Sequence, residues 1–124
     1  MQSEKKRNGF LSEMDQVVKK TKDLTDFLCQ TEDYQRYQRS LTKLKKNSDT
    51  YKKLNEFRRK NLYLDEKEDD SYEAADALYE EYKDILMEPS VMDFLSSEEY
   101  VNMMLRKVFD SIAEEIRIDI SYMD

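Results

Sequence analysis

Two rows of like charge are the residues of this chain whose types and spacing could do chemistry. Arg36, Arg39, Lys43 and Lys46 recur at i, i+3, i+7 and i+10, so on a helix they form one cationic stripe. Guanidinium and ammonium groups in a row bind anions, either the phosphates of a nucleic acid or the carboxylates of an acidic protein. Lys45, Lys52, Lys53, Arg58, Arg59 and Lys60 add positive charge nearby in sequence. Glu73, Asp76, Glu80 and Asp84 make the opposite stripe further along. Like charges at this spacing repel by about 0.2–0.5 kcal/mol per pair, so the row calls for water, salt or a basic partner. The whole chain divides in the same sense: residues 1–60 hold 16 Lys and Arg against 9 Asp and Glu, and residues 61–124 hold 5 against 19. Charges that keep off the apolar stripes lie on the surface and describe how the molecule meets other molecules. A solvated face is the ordinary use of such a row. Where the cationic stripe does bind, the net charge of −7 favours an acidic protein over a nucleic acid, because it repels a polyanion at long range.

Other chemistries lack their residues. The sequence has no His, no Trp, one Gly (Gly9), one Pro (Pro89) and one Cys (Cys29). Without His the commonest general base and the commonest transition-metal ligand are absent, and a single glycine at residue 9 cannot make a phosphate-cradling loop. The Glu-x-x-His pairs of a di-iron bundle cannot be built, and the acidic run 65–70 lacks the glycine and spacing of an EF-hand loop. The chain is therefore expected to be no enzyme, with no catalytic residue, metal or cofactor. Cys29, beside Leu28, reads as a small buried residue, and one thiol cannot close an internal disulfide. No apolar run approaches the ~20 residues of a membrane span. The polar segment 1–7 lacks the apolar stretch of a signal peptide. A cytoplasmic location without membrane contact is expected.

The elements that must carry the two stripes are helices. Leu11, Met14, Val17, Val18, Thr21, Leu24 and Leu28 follow a heptad-like stripe over 10–29. Thr31 fits a helix N-cap, after which Tyr34, Tyr37, Leu41 and Leu44 repeat to about residue 46. Asn47 and Ser48 mark the next start, and Tyr51, Leu54, Phe57 and Leu64 follow over 48–66, with Asn61 near a core position. Asp70 with Glu73 has capping-box spacing, and Ala75, Leu78, Tyr79, Tyr82, Ile85 and Leu86 form the face of a helix over 70–87. Pro89 stops that helix, Val91–Leu95 reads as a short turn, and Ser96 with Glu99 is a second capping box opening the last helix, 97–118. Residues 1–9 read as a flexible N-terminus and 10–120 as a single helical domain. The predicted fold is all-α, an antiparallel helical hairpin or bundle of four or five helices. Tyr34, Tyr37, Tyr51, Tyr79 and Tyr82 lie on apolar stripes and read as core or interface residues.

An apolar fraction of 39% against 40% charged, with a mean hydropathy of −0.95, leaves little material for a thick core. Self-association would supply the missing burial, so an oligomer is expected. The last helix is apolar over much of its circumference, which places the assembly surface on Val101, Met104, Leu105, Val108 and Ile112, with Phe109 and Ala113 widening one edge. The basic face of Arg36, Arg39, Lys43 and Lys46 and the acidic face of Glu73, Asp76, Glu80 and Asp84 would then select the partner.

The pattern Pro89, Val91, Phe94-Leu95, Glu98, Val101, Met104-Leu105, Val108 and Ile112 resembles the C-terminal block of the YlbF/YmcA family of small all-helical bacterial proteins. Leu54–Leu64, reading LNEFRRKNLYL, resembles that family's segment around a Phe-Arg pair, and Thr31, Tyr34 and Tyr37 match the start of its second helix. The resemblance covers roughly residues 10–118. It implies a self-associating cytosolic regulator or adaptor without activity of its own. It also implies a homo-oligomer, or a hetero-complex with related family proteins such as the complex of YlbF, YmcA and YaaT that modulates RNase Y-dependent mRNA processing. Some relatives are linked to iron–sulfur clusters, but Cys29 alone cannot supply several thiolates, so no cluster is carried over. The alternative function is a nucleic-acid-binding module using Arg36–Lys60; otherwise nucleic acid is not a direct partner.

Overall fold

A computed structural model describes the backbone of residues 2–66, 72–117, 119 and 121–123, and the side chains of 9–64, 72–117, 119, 121 and 122. These residues are all-α, with no strand among them. The helices are α1 (Gln2–Cys29), α2 (Glu32–Lys45), α3 (Ser48–Glu66), α4 (Tyr72–Glu81), α5 (Lys83–Leu86) and α6 (Pro89–Ile116), with a 3-10 turn at Ser121–Met123. Two caps act as the sequence predicts. Thr31 Oγ1 accepts the Tyr34 N–H at 3.4 Å and donates to the Leu28 carbonyl at 2.6 Å. Asn47 Oδ1 accepts the Thr50 N–H at 3.3 Å at the start of α3.

Three predicted boundaries move. α1 begins at Gln2, so residues 2–9, read as a flexible N-terminus, are its first turns. Glu4, Lys5, Lys6 and Arg7 are good helix formers, and the lack of an apolar stripe there does not oppose helix. α6 begins at Pro89 rather than at residue 97, because proline fits the first helical position, where its missing N–H is one of the orphans anyway. The predicted turn Val91–Leu95 is thus the start of α6, with Val91 and Phe94 buried, and Ser96 is an exposed interior residue rather than a cap. The helix predicted over 70–87 is interrupted at Tyr82, whose backbone lies in the bridge region (φ −108, ψ 15). The Tyr82 N–H still donates to the Leu78 carbonyl at 3.3 Å and its carbonyl accepts from Leu86 at 3.0 Å, so the break is a kink. The Asp70 cap lies outside the described residues.

The chain divides into two compact units, Met1–Gln35 and Arg36–Asp124, where a single domain over 10–120 was expected. In the first, residues 9–27 of α1 are exposed throughout, and Leu28 and Cys29 are half-buried. Gln35 Nε2 donates to the Cys29 carbonyl at 2.7 Å, which serves one of the orphan carbonyls at the end of α1.

In the second unit the core is Leu44 from α2, Leu54 and Phe57 from α3, Leu78 and Tyr82 from α4 and its kink, and Val91 and Phe94 from α6. Tyr37, Leu41, Tyr51, Leu64, Ile85, Leu86 and Leu95 pack against it half-buried. Of this unit's stripe tyrosines, Tyr37, Tyr51 and Tyr82 are thus at least half covered, while Tyr79 is 53% exposed with its ring 5.3 Å from that of Phe57; Tyr34, in the first unit, is half-buried. Asn61 is half-buried. α3 and α4 form the antiparallel hairpin, with Phe57 against Tyr79 and Tyr82 and Lys60 against Glu81. α2 and α6 instead advance together: Arg36 meets Asp93, Tyr37 stacks on Phe94 at 5.6 Å, and Ser40 meets Ser97 at 2.7 Å. Ser40 Oγ also lies 2.9 Å from the Tyr37 carbonyl and Ser97 Oγ 2.8 Å from the Phe94 carbonyl. Two hydroxyl protons serve these three contacts, so one serine donates to the other and the second donates to its own helix.

Phe94 is 2% exposed, with the Tyr37 ring centre 5.6 Å and the Arg58 guanidinium 5.7 Å from its own ring centre. Phe94→Ala is expected to cost about 3–5 kcal/mol, a large part of the stability of so small a core. Urea unfolding followed by circular dichroism checks this, and a loss under about 1 kcal/mol, an ordinary surface value, would contradict the assigned packing.

Candidate functional site

The described residues offer two kinds of surface that could act: apolar helix faces left uncovered, and charged side chains left unpaired. The buried residues of α6 are Val91, Phe94 and Ser97, all in its first third. Beyond Ser97 no described residue of α6 is buried. Of the predicted assembly residues, Val101, Met104 and Val108 are half-buried, while Leu105 and Ile112 are 38% and 45% exposed. On the same flank Phe109 is 69% and Ile116 61% exposed. At ~100° per residue Leu105, Phe109, Ile112 and Ile116 fall within about 60° of one another, so they form a continuous open edge beside the half-covered one. The five predicted residues share one face of α6, and Phe109 and Ile116 at its edge are more exposed than any of them.

A second apolar face escaped the sequence reading as a surface. On α1, Phe10, Leu11, Met14, Val17, Val18, Leu24 and Phe27 are all exposed, from 40% at Leu24 to 67% at Phe27. The stripe itself was legible; its lack of cover was not, because periodicity says which residues share a face and not what packs on it.

The cationic stripe is shorter than its spacing predicts. Arg36 Nη2 bonds Asp93 at 2.9 Å, and its guanidinium lies 5.7 Å from the centre of the Tyr100 ring. Arg39, Lys43 and Lys46 are exposed. Among the further cations, Arg58 reaches both oxygens of Glu98 at 2.8 Å and sits over Phe94. Lys60 Nζ pairs with Glu81 at 3.2 Å and lies 5.0 Å from the Tyr82 ring centre, and Lys45 lies over Tyr51. Hydrogen bonding to Tyr82, then to Glu81, holds the Lys60 ammonium above the ordinary lysine range. Arg36, Lys45, Arg58 and Lys60 therefore face their own chain, which breaks the row that a phosphate backbone would track. Exposed ion pairs of this kind contribute about 0–1 kcal/mol each, so they orient α6 more than they hold it. The acidic stripe is different: Glu73, Asp76, Glu80 and Asp84 are all exposed, and among the described residues no ion pair reaches them.

Between α3 and α4 lies an open cavity of about 460 Å³, lined by Leu64, Ala74, Ala77 and Leu78 with Arg59, Lys60, Tyr63 and Glu81. Among the described residues no group of three or more His, Cys, Asp or Glu side chains is placed to hold a metal ion. No helix among them is long and apolar enough to cross a membrane.

No curated protein and no solved structure matches the chain. Residues 17–117, however, match the family described as control of competence regulator ComK, YlbF/YmcA. That span takes in the C-terminal part of α1, from residue 17, and all of α2 to α6, including the capped start of α2, the proline at the head of α6 and the apolar face behind it. The chain therefore belongs to the YlbF/YmcA family.

Proposed function

We propose that this chain is a non-catalytic regulatory adaptor of the cytoplasm that works by self-association and by contact with related family proteins. By kinship with YlbF and YmcA, its process is RNase Y-dependent mRNA processing. One observation carries the reading: an amphipathic helix, α6, whose apolar face past Ser97 has no buried residue while Leu105, Phe109, Ile112 and Ile116 stand open. Contiguous apolar surface of this kind marks an interaction site in a soluble protein. The exposed stripe of α1 supports it independently, since a helix with no buried residue over 9–27 draws no packing energy from its own unit. Glu73, Asp76, Glu80 and Asp84, exposed and with no ion pair among the described residues, and the exposed Arg39, Lys43 and Lys46, opposite in sign, then choose among partners and set the rate of encounter. The rival reading, a nucleic-acid module over Arg36–Lys60, loses support because Arg36, Lys45, Arg58 and Lys60 are engaged within the chain.

Leu105 is exposed enough that Leu105→Asp keeps the fold, so its expected effect is a lower solution mass with unchanged helical circular dichroism. Light scattering coupled to size exclusion reads this, and a folded variant of unchanged mass would exclude α6 as the assembly surface. Raising salt from ~50 to ~500 mM screens charge but not apolar contact, so the wild-type oligomer is expected to persist. In a titration with labelled RNA at physiological salt, no saturable binding is expected. Steep salt-dependent binding abolished by reversing Arg39 and Lys43 would establish the nucleic-acid reading instead.

A further inference from the structure

The cavity between α3 and α4 lies apart from the apolar face of α6 and has no part in the function proposed above. Its shape follows from residue size. Ala74, Ala77, Leu78 and Glu81 stand at i, i+3, i+4 and i+7 on α4, the face turned toward α3. Two alanines at those places leave open what larger side chains would fill, and the gap of about 460 Å³ lies within the ~300–1,000 Å³ usual for small-molecule sites. Leu64 and Leu78 complete an apolar lining.

The charged groups at the mouth decide what would enter. The Lys60 ammonium is committed to Glu81 at 3.2 Å and to Tyr82, so that pair carries no net charge. Arg59, the next residue along the rim, is exposed, and among the described residues no ion pair reaches it. One unspent guanidinium beside an apolar cleft fits one negative charge on an apolar body. A guanidinium presents paired donors that match a carboxylate. Among the described residues that line the cleft a polyanion finds no second unspent cation, and it meets the net charge of −7. The lining from Ala74 to Glu81 extends roughly 10 Å along the helix, which suits a linear alkyl chain.

We infer that this cleft binds a free medium-chain carboxylate, its alkyl chain against Leu64, Ala74, Ala77 and Leu78 and its carboxylate on Arg59. The probe is sodium decanoate below its micelle concentration, titrated by calorimetry into the full chain. Saturable binding of one decanoate per chain is expected, with octanoate weaker by roughly tenfold or more for its two missing methylenes. Ala77→Leu, at an exposed position that tolerates leucine, is expected to abolish binding while leaving thermal unfolding unchanged. Arg59→Gln should weaken decanoate about tenfold without changing the affinity for decanol, the usual scale for one charge-assisted contact. Leu105→Asp should leave binding intact, which separates this site from the assembly face. No saturable binding, binding that survives Ala77→Leu, or binding lost with Leu105→Asp would each overturn the assignment.

Discussion

The contact of α2 with α6 at Ser40 and Ser97 fixes how the head of α6 is seated in the larger unit. Two small side chains, 4% and 0% exposed, let the helices meet hydroxyl to hydroxyl, and the same approach seats Phe94 against Tyr37 and buries Val91. Arg36 and Arg58 then fix the helix from its two sides through Asp93 and Glu98. No buried side-chain nitrogen or oxygen among the described residues is left without a partner, so this polar crossing carries no desolvation penalty that goes uncompensated. Past Ser97 no described residue of α6 is buried, although Val101, Met104 and Val108 are half-buried.

A chain that is 39% apolar and 40% charged cannot cover all its helices from within. The buried core gathers where α3, α4 and the head of α6 converge, and it consumes one buried residue of α2, two of α3 and two of α6. Some of the remaining apolar residues, such as Leu62, Met87 and Met92, are exposed singly, but others are grouped on α1 and on the far part of α6. Scattered apolar exposure is ordinary in soluble proteins, whereas faces at helical spacing are the form in which one helix offers itself to another. The YlbF/YmcA family, to which the chain belongs, is described as control of a competence regulator, which is a regulatory description.

Charge is divided between internal and external use, and the dividing line is proximity to α6 and α4. Cations at 36, 58 and 60 find carboxylates at 93, 98 and 81 within 3.2 Å, so part of the asymmetry between the chain's halves closes on itself. The stripe from Glu73 to Asp84 points away from these partners and stays unpaired among the described residues. An even spacing of like charges thus had two different fates. Arg36 shows why: the i, i+3, i+7 rule places it with Arg39 and Lys43, but a carboxylate on a helix 57 residues away decides which way its guanidinium turns.

The sequence by itself determined the all-α class, the caps at Thr31 and Asn47, the stop before Pro89 and the composition of each apolar stripe, because these rest on local backbone chemistry and the 3.6-residue period. The residues of the α6 face, Val101, Met104, Leu105, Val108 and Ile112, were legible for the same reason. Tertiary structure alone decided that Pro89 opens α6 as well as ending the previous segment, since a proline at a helix boundary is compatible with either side. It also decided that the α1 stripe stays uncovered, that four cations turn inward, and that Ala74 and Ala77 border a cleft. Each of these depends on which residues of distant segments come within a few ångströms, and periodicity along one helix carries no information about the helix opposite.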